Sequence, residues 1–201
     1  MAVRHGASAI GLVSEMPSGP GIIAEELIAE VARRVPPTVA TFLLTCKQDA
    51  ASIIAQQRKC RVNTIQLCDH VAAPHIYDEL RDAMPGVSLI QVIHVQGRES
   101  VAEAVSFAGK VDALLLDSGN QNLPVKELGG TGRTHDWRIS RTIVESVNVP
   151  VFLAGGLKPC NVAEAVEQVR PFGLDVCSGV RSDGRLDEEK LKSFFASIPM
   201  A

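Results

Sequence analysis

The chain has 201 residues, 46% hydrophobic and 21% charged, with a net charge of −3. That length suits one sizeable core. The charge balance carries no basic run, which argues against a nucleic-acid or anionic-membrane surface, and no apolar stretch reaches the roughly 18 residues needed to span a bilayer. The N-terminus, MAVRHGASAIGLV, lacks a signal peptide's layout, and the five cysteines (Cys46, Cys60, Cys68, Cys160, Cys177) form no CxxC pair. Reduced thiols in a cytoplasmic protein are expected, with no disulfide framework and no metal site.

Along the chain, short apolar runs recur: SAIGLV (8–13), TVATFLLT (38–45), VNTIQL (62–67), SLIQVIHV (88–95), VDALLLD (111–117), PVFLAGG (150–156) and GLDVCSG (173–179). Most are nearly continuous in apolar residues, as strands covered on both faces should be. Helical patterns separate them. AEELIAEVARRV (24–35) has acids early and arginines late, and QDAASIIAQQRK, PHIYDELRDAM, RESVAEAVSFAG, DWRISRTIVESV, NVAEAVEQVR and DEEKLKSFFASI follow suit. Asp136 and Asn161 stand where helix N-caps belong.

Alternating strand and helix predicts parallel strands joined by right-handed crossovers. Seven strand-helix units are visible, one short of an eight-stranded TIM-type (β/α)8 barrel. AVRH reads as the last turn of a crossover helix, so the expectation is a single barrel domain over residues 1–201 lacking the first strand, with a doubly wound open sheet as the competing fold. Two unpaired sheet edges would follow. Either a homodimer across the gap or patching by the chain's own N-terminal residues would cover them.

Three glycine-containing segments fall at or just after strand ends: GGTG (129–132), AGG (154–156) and SGV (178–180). Glycines there either turn corners or let backbone N–H groups approach an anion. Three on one predicted rim, two of them in the loops where barrels hold phosphate, favour the anion. Asp117 closes the strand LLLD. On residue type alone it is a strand-end cap; beside a phosphate site it is a candidate acid.

LLLDS…GGTGRTHDW, PVFLAGGL.P.NV.EAV and PFGLDVCSGVR, with G.LD..KL..F beyond, closely resemble the phosphoribosylanthranilate isomerase family of tryptophan biosynthesis over about Asp112 to Phe195. GASAIGLV and VNTIQL extend the likeness more weakly over the rest. The resemblance implies a barrel, a substrate phosphate at Gly155, Gly156, Ser178 and Gly179, and a substrate loop of Gly129, Gly130, Thr131, Gly132 and Arg133. It implies an Amadori rearrangement needing no cofactor, with Asp117 as general acid. The family's base, a cysteine in a Lys-Ile-Cys-Gly motif of the first strand, has no counterpart here. Its carboxylate-binding arginine falls at or near Pro20, and its Gln-Leu-His-Gly histidine is replaced by Cys68 in QLCDH.

Three readings therefore stand: a shortened form of the isomerase, a paralogue acting on another phosphorylated sugar with Cys68 as surrogate base, or a barrel that binds a phosphorylated ligand without turnover. Cys68 also reads as a small half-buried thiol. Asp175 and Cys177 share one strand face, and Asp175 reads as structural or as part of the site. His94, Arg133 and His135 lie on or near the same rim and read equally as solvated surface, and Arg181 reads as a surface residue before a ligand.

Overall fold

A computed structural model describes residues 1–199. Seven parallel strands form one sheet in sequence order: β1 (Ala9–Val13), β2 (Ala40–Thr45), β3 (Thr64–Leu67), β4 (Ser88–His94), β5 (Ala113–Asp117), β6 (Val151–Leu153) and β7 (Gly173–Leu174). Crossover helices α1 (Glu25–Arg34), α2 (Ala50–Cys60), α3 (Ile76–Ala83), α4 (Glu99–Ala108), α5 (Trp137–Ser146) and α6 (Val162–Val169) connect them, and α7 (Glu188–Ala196) closes the chain. The expected AVRH turn is a 3-10 turn over Ala2–His5, ended by Gly6 at φ 100°.

Neighbouring side chains on a strand point to opposite faces, so the central strands pack on both sides of the sheet. Leu114 and Leu116 of β5 join the large core beneath the helices, with Ile65, Leu67, Leu89 and Ile93. Ala113 and Leu115 face the other way, with Cys68, Ile90, Val92 and Ala154, and Phe42, Leu44 and Phe152 pack against them. That second core is the inside of the curled sheet. The curl brings the chain's two ends together. Ala2 and Phe195 both pack against the large core, the His5 ring contacts Glu188 at 2.9 Å, and Gly6 lies against Phe195.

Among the described residues β1 and β7 are the edges of the sheet. The N-terminal turn joins the helical layer and pairs with neither edge. The chain just after β1 does the patching instead, because Ile22 bridges Val13 in parallel and the Ile23 N–H donates to the Val13 carbonyl at 3.0 Å.

The last two runs make shorter strands than expected, three and two residues. Gly155 turns to φ 82°, which takes the backbone out of the extended region, and Cys177 (φ −122°, ψ −79°) leads into a 3-10 turn over Ser178–Val180. A hairpin that the periodicity did not predict follows, β8 (Arg181–Ser182) with β9 (Arg185–Leu186).

Candidate active site

The inward alternation of β5 continues from Ala113 and Leu115 to Asp117, which is buried at the C-terminal rim. Its carboxylate accepts the Ser118 N–H at 2.7 Å. Glycine is what lets the neighbouring loop approach. A Cβ on Gly155 would stand 3.2 Å from the Asp117 Oδ1 and 3.1 Å from the Ser118 nitrogen. Asp117 pairs with His94 across the β4–β5 ladder. The His94 Nε2 donates to the Cys68 carbonyl at 2.9 Å, which fixes the tautomer and leaves Nδ1 buried without a partner.

Asp117 borders a narrow cleft of about 40 Å³ between the ends of β5, β6 and β7. Of the residues expected at a phosphate, Gly155, Gly156 and Ser178 line it, and Gly130, Thr131 and Gly132 cover it. Gly179 stands behind the wall, its Cα so close to the loop after β6 that a Cβ would lie 1.8 Å from the Leu157 carbonyl oxygen. Gly129 lies against the second carboxylate oxygen of Asp117. No Lys or Arg is among the lining residues, so an anion there would be held by backbone N–H groups and the Ser178 and Thr131 hydroxyls. Arg133 turns away to pair with Glu127, and Arg181 donates to the Gly184 carbonyl at 2.8 Å.

The 118–136 segment is tied down on several sides. Ser118 and Thr131 hydroxyls meet at 2.7 Å, and Ser18 donates to the Lys126 carbonyl at 2.7 Å. The Lys126 ammonium pairs with buried Asp69, and Gly130 sits against Pro20. His135 donates or accepts at Ser140 Oγ, 2.7 Å away; burial pushes its pKa down, opposed by the Asp117 charge. Asp136 caps α5 by accepting from Arg138 N–H, whereas Asn161 staples the loop before α6, accepting from Lys158 N–H at 2.7 Å and donating to the Gly156 carbonyl at 3.1 Å.

Cys68 is 1% exposed, its thiol aimed at the Gln66 carbonyl, and burial drives its pKa far above the ordinary thiol range. Asp175, in contrast, lines the cleft itself. Its residue surface is exposed, so it is a carboxylate of the cleft wall rather than one sealed in a core. Partial desolvation, and then the Asp117 charge, raise its pKa. A second, wider cavity of about 240 Å³ lies beyond His94, with Glu99 and Glu103 in its wall.

The profile of the N-(5'-phosphoribosyl)anthranilate isomerase family matches residues 3–197. The chain belongs to that family. Two relatives named N-(5'-phosphoribosyl)anthranilate isomerase illustrate the match. The one from Methanocella arvoryzae is 37% identical over 92% of this chain and 84% of its own. The one from Haloferax volcanii is 36% identical over 98% of this chain and 85% of its own. Crystal structures of phosphoribosylanthranilate isomerases superpose accordingly. That from Thermotoga maritima gives a TM-score of 0.79 at 26% identity, covering 98% of this chain and 90% of the other. The Thermococcus kodakaraensis isomerase gives 0.77 at 28% identity, with the same coverage. The described residues take the family's parallel α/β architecture as a curled, open sheet of seven strands.

Proposed function

We propose that this chain is an aldose-ketose isomerase of the tryptophan pathway, converting the N-linked aminoaldose phosphate phosphoribosylanthranilate into its aminoketose by an Amadori rearrangement. One observation carries the residue assignment: Asp117 borders the same cleft as Gly155, Gly156 and Ser178, within a chain that matches the isomerase family from end to end. In this reading the glycine-loop amides hold the substrate phosphate, with Gly179 setting their wall. The Gly129–Arg133 segment covers the sugar. Asp117, as general acid, delivers its proton to the ring oxygen as the C1–O bond breaks and the nitrogen lone pair forms the C1=N bond. Positioned proton transfer of this kind contributes roughly 10²–10⁴-fold. Cys68 is left out as base, since a sealed, neutral thiol accepts no proton. A cytoplasmic location and association into a homodimer are parts of the same proposal.

The test is turnover of phosphoribosylanthranilate by the 201-residue chain. Asp117→Asn should lower kcat by about 10²–10⁴-fold while inorganic phosphate still raises the melting temperature, because the anion site stays intact. Undiminished turnover in that variant would sink the acid assignment. A second reading, binding of a phosphorylated sugar without isomerisation, draws on Pro20. It occupies the region where the family resemblance expects a carboxylate-binding arginine, and it rests against Gly130 with no cation lining the cleft. Phosphate stabilisation of the wild type with no turnover would select that reading.

A further inference from the structure

All five cysteines are free, yet two of them are lateral neighbours in the sheet. β2 and β3 pair in parallel with Thr45 opposite Leu67. The Cys68 N–H carries that ladder one step further by donating to the Thr45 carbonyl at 2.9 Å. Cys46 and Cys68 are the next pair in this register. Both fall on the inner face: Phe42 and Leu44 of β2 point there, Cys68 belongs to the inner core, and Cys46 packs against it. Neighbouring strands stand about 4.8 Å apart, inside the range of about 4.4–6.8 Å between Cα atoms that a disulfide spans. Cys60 ends α2, Cys160 precedes α6 and Cys177 follows β7, so none of the other three shares a ladder with a second cysteine.

We propose that Cys46 and Cys68 are a redox-active dithiol, which a small external disulfide such as glutathione disulfide closes into a reversible bridge between the ends of β2 and β3. The inference does not depend on the isomerase reading. Cys46 is half-buried and is the thiol that a reagent reaches, whereas Cys68 is sealed. What each thiol gives up is slight. Cys46 donates to the Glu15 carbonyl at 3.2 Å, and Cys68 to the Gln66 carbonyl at 3.6 Å. Burial raises the pKa of both, so the pair rests as a dithiol and yields only to sustained oxidant. Side chains of lateral strand neighbours run alongside one another rather than converge, so the closed bridge is strained and readily reopened by thiol.

The exchange runs in two balanced steps. Cys46, as thiolate, attacks one sulfur of the external disulfide, whose S–S bond breaks and releases one small thiolate. Cys68 then loses its proton, attacks the Cys46 sulfur and expels the second. Each departing thiolate takes up one of the two protons that the cysteines lose. Two protein thiols are thereby oxidised to one disulfide, and one external disulfide is reduced to two thiols. The Cys46 sulfur no longer holds Glu15, so the loop after β1 loses that tether while its Ser18 still bonds Lys126 of the segment covering the cleft.

The experiment incubates the folded wild type with glutathione disulfide, blocks the remaining thiols with an alkylating reagent and maps tryptic peptides by mass. A linked pair should appear, joining the peptide that ends at Lys47 to the one that begins at Val62. Its mass should lie about two units below the sum of its halves, and added dithiothreitol should abolish it. Cys46→Ser should form no bridge, and Cys68→Ser should stop at a glutathione mixed disulfide on Cys46. Both residues still alkylated after prolonged oxidation overturns the pair. Glutathione on Cys46 of the wild type without onward closure does the same, as do bridges through the exposed Cys160 alone. Should Cys68→Ser fail to fold, the linked peptides of the wild type decide by themselves. None of these readouts requires turnover, so a protein that isomerises nothing leaves the test intact.

Discussion

At the scale of single residues, the backbone rather than a charged side chain sets the shape of the site. Gly179 is the sharpest case. A methyl group there would sit 1.8 Å from the Leu157 carbonyl oxygen, a backbone atom that cannot swing aside. Gly179→Ala should destabilise the fold by about 1–3 kcal/mol, the usual range for overpacking, read as a lower urea midpoint at unchanged slope. Loss of turnover should accompany it, since the β6 loop would shift. His70 offers a pH prediction. Its hydrogen bond to Glu103 at 2.8 Å raises its pKa in the folded state. A raised histidine stabilises fully below its unfolded value of about 6.5, and the contribution is lost as pH rises through the folded value. The side chain is half exposed, so the effect is modest. The stability difference between wild type and His70→Gln, from urea melts, should be largest near pH 6 and fade toward pH 8. An equal difference at both would remove the linkage. Asp117 was legible in the sequence because a carboxylate ending an apolar run is a local signal. The relation of Asp175 to it was not, because it depends on the register of β6 between them.

At the scale of elements, the segment after β5 governs access to the cleft. Its anchor farthest from the chemistry is the ion pair of Lys126 with Asp69, whose carboxylate is buried and also accepts from Gln48 at 3.1 Å. Removing one partner of a buried pair strands the other charge. Lys126 is partly exposed and Gln48 remains, so Lys126→Met should cost only about 1–2 kcal/mol by urea denaturation. The more telling readout is limited proteolysis, in which cleavage between residues 118 and 136 should speed up relative to wild type. Unchanged cleavage would mean that the Ser118–Thr131 and Ser18 contacts suffice to hold the segment. The bracing by Lys126 was not legible beforehand, since Asp69 and Ser18 reach it from loops more than fifty residues away in sequence. The hairpin after the last strand was legible in principle. RSDGRL carries an Asp-Gly pair, and Asp183 (φ 49°) and Gly184 (φ 75°) both take the left-handed turn that this dipeptide favours. The apolar period that located the other strands is simply too long to register two-residue arms.

At the scale of the whole molecule, alternation of strand and helix fixed the order and direction of the sheet, while the treatment of its edges emerged only in three dimensions. Ser8 and Ser14 bond toward β2, so Ala9, Gly11 and Val13 turn their backbone groups the other way. Such a row is a template for another strand. The Ile23 N–H occupies one position of it, the Val13 carbonyl, and Ile22 lies alongside with 47% of its surface exposed. Ile23→Pro deletes that donor and frees the edge, whereas Ile23→Ala loses comparable packing but keeps the N–H. In sedimentation velocity at tens of micromolar, the proline variant should shift toward species larger than those of both wild type and the alanine variant. If proline and alanine behave alike, the packing of Ile23 rather than its hydrogen bond protects β1. If neither differs from wild type, the edge is guarded by the curl of the sheet, which would then deny a second molecule the approach that an open edge otherwise offers.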